Sequence, residues 1–169
     1  MFTLTIGKHT EFHTGDPTVH DYGQNVKITV GNYCSMGNGI VFLAGGEHYY
    51  KRIATGLIAK LPDREGAYSK GDIIIGNDVW FGYKVTVMSG VTIGDGAVIG
   101  ACSVVSKDIP PYAVACGNPI RIINYRFKGE QIEKLLKIKW WDWDYDKVIE
   151  RAPILESDNL DLLFQMCKV

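Results

Sequence analysis

IGNDVWFGYKVTVMSGVTIGDGAVIGACSVVSKDIP, residues 75–110, repeats every six residues. Cut at that interval it reads IGNDVW, FGYKVT, VMSGVT, IGDGAV, IGACSV and VSKDIP. The first column, Ile75, Phe81, Val87, Ile93, Ile99 and Val105, is apolar throughout. The second holds Gly76, Gly82, Gly94 and Gly100, and the fifth is small or β-branched: Val79, Val85, Val91, Ala97, Ser103, Ile109. A period of six fits neither a helix nor simple strand alternation. It fits a solenoid in which each hexad is a short strand followed by a corner, with the first column pointing into a narrow interior. Turn-type residues at the third and fourth positions, such as Asn77-Asp78 and Asp95-Gly96, suit the corners. Three sides make a coil of eighteen residues, about two coils over this stretch. Antiparallel hairpins would vary in strand length, and this frame never slips.

Upstream the frame resumes as QNVKIT, VGNYCS, MGNGIV and FLAGGE, residues 24–47, with Val30, Met36 and Phe42 inward. Between the blocks, over 45–71, it vanishes. This stretch is polar, aromatic and basic, with His48-Tyr49-Tyr50-Lys51-Arg52 at its start and Lys60-Leu61-Pro62-Asp63-Arg64 further on. A long excursion from a compact repeat fold points to function or disorder, and its ends are fixed by a rigid frame. His48 therefore stands at the root of an excursion. Three segments result: an N-terminal strand and loop segment over 1–23, the coils with their excursion over 24–111, and a connecting strand with C-terminal helices over 112–169. Pro110-Pro111 closes the repeats by removing two strand donors. Ile132, Leu135, Leu136, Trp140 and Trp143 recur at helical steps and predict a helix over 130–143. Trp140, Trp141 and Trp143 are expected to anchor it by packing. Ser157 or Asp158 is expected to cap a last helix whose Leu160, Leu163 and Phe164 face inward.

The chain has 169 residues and a formal net charge of −1 with interspersed signs, which gives no electrostatic case for nucleic acid or an anionic membrane. No apolar run approaches a membrane span and the N-terminus carries no signal-peptide pattern, so a cytoplasmic protein is expected. The four cysteines show no metal or redox spacing and read as reduced thiols. His9 and His13 are four apart, but Gly7, Gly15 and Pro17 argue against the helix that would make them a metal pair. No metal is expected.

The hexads, together with GGEHYY upstream and EQIEKLLKIKWWDWD downstream, resemble the hexapeptide acyltransferases. More narrowly they are similar to the xenobiotic acetyltransferases, the group of streptogramin and type-B chloramphenicol acetyltransferases, over roughly residues 24 to 150. The resemblance implies an all-β solenoid, a left-handed parallel β-helix with an extruded loop and a C-terminal helical segment. The hand comes from the resemblance, since the usual crossover rule favours the opposite one. It also implies a homotrimer with active sites between subunits, acetyl-CoA as cosubstrate, and His48 as general base. It matches Tyr83, Ala101, Ser106 and Lys107 to positions that contact CoA, Arg121 to one that meets its phosphates, and Trp80 to a tryptophan near the acceptor. Tyr83 is bulkier than the small residue that many relatives place there. The excursion departs too, with HYYKR where the streptogramin enzymes carry an HRMD-like run.

The residues themselves ask for similar chemistry. An acceptor hydroxyl or amine must lose a proton as it attacks a thioester, and imidazole titrates near neutrality. No nucleophile–histidine arrangement is evident for a covalent route. Glu47, alternating with His48 in an extended segment, would point the other way and is not assigned as its orienting carboxylate. Tyr83 and Ala101 lie one coil apart and stack at one corner; Ser89 and Lys107 do the same at the next. Lys107 and Arg121 suit phosphate, and Tyr49 and Tyr50 suit an acceptor. The acceptor is a small molecule, either an antibiotic or a sugar such as a nucleotide-linked amino sugar. A metal enzyme resembling the γ-type carbonic anhydrases would need converging histidines, and 75–110 has none. A non-catalytic solenoid that binds a small molecule is the remaining class.

Overall fold

The computed structural model describes residues 1–56 and 66–169; the basic run at 60–64 lies outside them. Two compact units are present, Met1–Asn124 and Tyr125–Val169. The first is a β structure. Its strands are β1 (Thr3–Ile6), β2 (Glu11–Phe12), β3 (Thr18–His20), β4 (Lys27–Val30), β5 (Ser35–Met36), β6 (Val41–Leu43), β7 (Ile73–Ile75), β8 (Trp80–Phe81), β9 (Thr86–Met88), β10 (Thr92–Ile93), β11 (Val98–Ile99), β12 (Val104–Val105), β13 (Ala113–Cys116) and β14 (Arg121–Tyr125). Strands β1 to β13 pair in parallel. Through β12 the chain visits three sheets in strict rotation. The first sheet is β1-β4-β7-β10, the second β14-β13-β11-β8-β5-β2 and the third β12-β9-β6-β3.

Register gives the coil length directly. Ile74 pairs with Thr92, Trp80 with Val98 and Thr86 with Val104, each parallel and eighteen residues apart. Across the excursion the step is 45, from Ser35 to Trp80 and from Val41 to Thr86. The difference, 45 − 18 = 27, is the length of 45–71, so the excursion is an insertion into an otherwise regular coil. The first coil steps by 24 in the first two sheets, from Leu4 to Ile28 and from Glu11 to Ser35, and by 23 in the third, from Val19 to Phe42. Parallel pairing thus begins at Thr3, upstream of residue 24, where the six-residue frame becomes regular. The extra residues in that coil hide it from a search at fixed period.

The interior follows the columns. Phe12, Met36, Phe81, Ile99 and Ala115 stack in the second sheet, and Val19, Phe42, Val87 and Val105 in the third. Every first- and fifth-column residue of the frame from Val30 to Ile109 that the sequence places inward is buried. The fourth position of successive hexads, Asp78, Lys84, Gly90, Gly96 and Cys102, takes a positive φ of 53° to 75°, which turns the corner. The second position lies against the next coil. A Cβ at Gly82 would come 2.6 Å from the Ala101 nitrogen, a clash that excludes any side chain. One corner is laced by polar side chains: Asn32 Oδ1 accepts from Lys8 N, Asn77 Oδ1 from Asn32 N and Asp95 Oδ1 from Asn77 N, at 2.7–2.8 Å.

The second unit is helical, with α1 (Gly129–Ile138), α2 (Tyr145–Leu155) and α3 (Leu160–Cys167). The helix expected over 130–143 is shorter than its apolar spacing suggests. Lys139 turns left-handed at φ 45° and its amide returns to Leu135 O, ending α1, and Trp140–Asp142 form a separate 3-10 turn. Trp141 is buried, Trp140 meets it edge-on at 6.1 Å, and Lys147 Nζ lies 4.1 Å over the Trp143 ring. The sequence reading lacks α2, although Tyr145, Val148, Ile149, Ala152 and Leu155 recur at helical steps; the helix contains Pro153 and buries no residue fully. α3 is capped by Asn159, whose Oδ1 accepts from Leu162 N, rather than by Ser157 or Asp158. No helix among the described residues is long and apolar enough to cross a membrane.

Cys34 occupies a fifth-column position and donates from Sγ to Gly76 O at 3.1 Å. Burial pushes its thiol up to about 11. Alkylation of the native protein at about pH 8, where an ordinary thiol is partly ionised, is expected to leave Cys34 unmodified until denaturant opens the coils. Labelling of native Cys34 at a free-thiol rate would contradict this environment.

Candidate functional site

Two corners of the three-sided unit carry the candidate side chains, one at each edge of the third sheet. At the edge where the second sheet turns into the third, Tyr83 and Ala101 stack, with Cys102 N donating to Tyr83 O at 2.7 Å. Ala101 is exposed and Tyr83 is 50 % exposed. Lys84 Nζ stands 5.1 Å from the centroid of the Tyr83 ring. The lysine is held above its ordinary range, first by a hydrogen bond with the Tyr83 side chain and then by that group's charge. Sequence reasoning missed Lys84 because it falls in a corner column of no fixed chemistry, yet it places a cation over the Tyr83 ring. Trp80 projects from the outer face of the second sheet, between Ser35 and Val98, and is 55 % exposed. Arg121 opens β14 on the edge of that sheet and is exposed.

At the other edge of the third sheet, β6 runs out into the excursion. Glu47 and Tyr68 form an antiparallel bridge that joins its two limbs, Glu47 N to Tyr68 O at 3.0 Å and Tyr68 N to Glu47 O at 2.8 Å. Ser106 and Lys107, both exposed, follow β12 on the same side of the unit. His48 follows the bridge and is exposed. Its Nδ1 is hydrogen-bonded to the Thr55 carbonyl oxygen. A carbonyl only accepts, so Nδ1 carries the proton and the neutral ring keeps its lone pair on Nε2. The Glu47 carboxylate accepts from Ser89 Oγ at 2.7 Å, so it does not orient the imidazole; that partner is the Thr55 carbonyl, which no sequence pattern announces.

The two tyrosines after His48 differ. Tyr49 stacks on Tyr68 at 4.7 Å, and the Arg52 guanidinium lies 3.6 Å over the Tyr49 ring. Both contacts engage the Tyr49 ring within the excursion. Tyr50 is 74 % exposed. Tyr22, which the sequence did not single out, sets its ring against Gly46, where a Cβ would lie 2.8 Å from the ring.

Within one chain, then, Tyr83 and Ala101 come together, as do the His48 root, Ser89 and the side bearing Lys107. The two groups are separated by the width of the third sheet. The arrangement supplies an unprotonated imidazole nitrogen at one corner, and a small exposed residue with the Lys84 cation over its neighbour Tyr83 at the other. The second corner suits a slender anionic ligand: Ala101 leaves its backbone open, and Lys84 adds a charge that phosphate complements.

Residues 72–107 match the family described as bacterial transferase hexapeptide (six repeats). Over 148 residues the chain is 37 % identical to a chloramphenicol acetyltransferase of Agrobacterium fabrum, covering 82 % of this chain and 71 % of the relative. A probable macrolide acetyltransferase of Lysinibacillus sphaericus is 38 % identical over 141 residues, 78 % of each chain. Among solved structures, a hexapeptide-repeat acetyltransferase of Vibrio cholerae in complex with acetyl coenzyme A superposes with a TM-score of 0.60 at 29 % identity. That match covers 75 % of this chain and 62 % of the other.

The Thr55 contact makes a direct expectation for His48. In 15N-histidine-labelled protein at a pH where the ring is neutral, His48 should show the Nδ1-protonated tautomer, assigned by its loss in His48→Ala. A ring protonated at Nε2 would contradict the geometry.

Proposed function

From the chain's membership of the xenobiotic acetyltransferase group of hexapeptide-repeat enzymes, with the chloramphenicol and macrolide acetyltransferases as relatives, we propose that it transfers an acetyl group directly from acetyl-CoA to a hydroxyl or amine of a small acceptor, with His48 as general base. The carrying observation is the commitment of His48 Nδ1 to the Thr55 carbonyl, which leaves Nε2 free to take a proton. Acetyl-CoA supplies the acyl group as a thioester. Nε2 accepts the proton of the acceptor as its oxygen or nitrogen attacks the thioester carbonyl. The C–S bond then breaks, and CoA leaves as a thiolate that is protonated by the imidazolium or by solvent. Nδ1 keeps its hydrogen bond to Thr55 O throughout. General-base assistance of this kind contributes about 10²–10⁴-fold.

The proposed assembly is a homotrimer of left-handed coils in the cytoplasm. Its geometric support is the separation of the two corners within one chain: His48 reaches a Tyr83–Ala101 corner if a neighbour supplies it. CoA then runs along Tyr83 and Ala101, with Ser106 at the arm and Lys107 and Arg121 at the phosphates. Trp80, the exposed Tyr50 and Tyr49 line the acceptor side. The names of the relatives favour an antibiotic hydroxyl as acceptor.

Release of free CoA thiol should be followed with acetyl-CoA against chloramphenicol, streptogramin A compounds, macrolides and nucleotide-linked amino sugars. Acceptor-dependent release that falls about 10²–10⁴-fold in kcat in His48→Ala, with CoA affinity retained, is the expected result. Undiminished turnover in His48→Ala would overturn the assigned base, and failure to bind CoA would leave a non-catalytic solenoid. In calorimetric titration, Lys107→Glu with Arg121→Glu is expected to weaken CoA binding on the order of tenfold or more, ~1.4 kcal/mol. Unchanged affinity would remove both residues from the site.

A further inference from the structure

Both limbs of the excursion end on one buried hydroxyl. Ser89, at the corner after β9, is 1 % exposed in an otherwise apolar coil. Its Oγ donates to Glu47 Oε1 at 2.7 Å, on the outgoing limb, and accepts from Lys70 N at 3.1 Å, on the returning limb. Gly90 N, the next amide, donates to Gly71 O at 2.9 Å. A serine hydroxyl has one proton to give, and Ser89 spends it on Glu47. The Glu47 carboxylate has no second anchor: Oε2 is buried without a hydrogen-bond partner among the described residues. A buried carboxylate held by one bond is expelled when that bond goes, because an unsatisfied buried charge costs more than moving out to water.

From this geometry we propose that Ser89, acting through Glu47, is a positioning residue for His48. The proposal rests on the reading of His48 as the base. The bridge of Glu47 to Tyr68 fixes the peptide that leads into His48, and the Ser89 hydroxyl fixes the Glu47 side chain against the rigid coil. With the root held, the segment from His48 to Thr55 closes so that Nδ1 meets the Thr55 carbonyl. Ser89 thus sets which ring nitrogen is free without touching the imidazole. The role of Glu47 is geometric rather than electrostatic: Ser89 needs an acceptor at Oε1, and an uncharged amide oxygen would serve.

The test reads the tautomer of His48 in the intact protein without any substrate, by 15N NMR of histidine-labelled wild type, Ser89→Ala, Glu47→Ala and Glu47→Gln. Thermal unfolding of each variant shows that the coils are intact. Ser89→Ala and Glu47→Ala are expected to lose the uniform Nδ1-protonated signature of His48, while Glu47→Gln, which keeps an acceptor for the Ser89 proton, retains it. A folded Ser89→Ala or Glu47→Ala with an unchanged signature would overturn the proposal. Loss of the signature in Glu47→Gln would overturn the geometric role in favour of one that needs charge. If Ser89→Ala does not fold, the Glu47 pair alone decides. These outcomes are independent of the base assignment, which stands or falls on turnover by His48→Ala.

Discussion

Stacked coils leave no room for a Cβ where one turn of backbone lies on the next. At Gly76 a Cβ would meet Asp95 N at 2.7 Å, and at Gly82 it would meet Ala101 N at 2.6 Å. That approach holds the coils in register at eighteen residues per turn and permits the parallel backbone hydrogen bonds that join them. It also brings two buried columns together in a core about one side chain across. The positive-φ residues at the corners carry a backbone cost that this regular burial offsets. The same approach makes the corners reliable places to hold chemistry, because a corner residue cannot drift without breaking the stack above and below it.

The excursion depends on this frame more than on its own contacts. It inserts between β6 and β7 without altering the register of the strands on either side, and its limbs are tied to each other by the Glu47–Tyr68 bridge and to the coil by Ser89. His48 follows the bridge directly, and its ring is held on the Thr55 carbonyl. The proposed general-base role benefits from that contact, since an imidazole held with one nitrogen occupied has a single orientation to offer. The proposed CoA corner has a different property, the small exposed Ala101 stacked on Tyr83 with the cation of Lys84 over that ring.

The buried columns were legible because burial repeats with the coil, and a six-residue period has no competing explanation. The first coil was less so: Leu4, Phe12 and Val19 point inward as their successors do, but its longer turn carries them out of phase with the later hexads. The helical unit illustrates a different limit. Apolar spacing ran from Ile132 to Trp143, but the left-handed Lys139 that ends α1 leaves no mark in a hydrophobic pattern. At the site, His48 was legible as the one histidine at the root of the excursion. Its partners were not. Thr55 acts through its backbone carbonyl, which any residue would supply, and Ser89 looked like an ordinary corner residue until its hydroxyl was placed between Glu47 and Lys70. Lys84 was hidden in the same way.

Separation of His48 from the Tyr83–Ala101 corner within one chain is the feature on which the proposed mechanism turns, because a base without a thioester in reach does nothing. A crystal structure of the protein with CoA tests it most directly. The account predicts the pantetheine arm along Tyr83 and Ala101 of one chain, with its sulfur facing Nε2 of His48 from a different chain. CoA bound away from that corner, or a sulfur that meets no His48 from any chain, would contradict it.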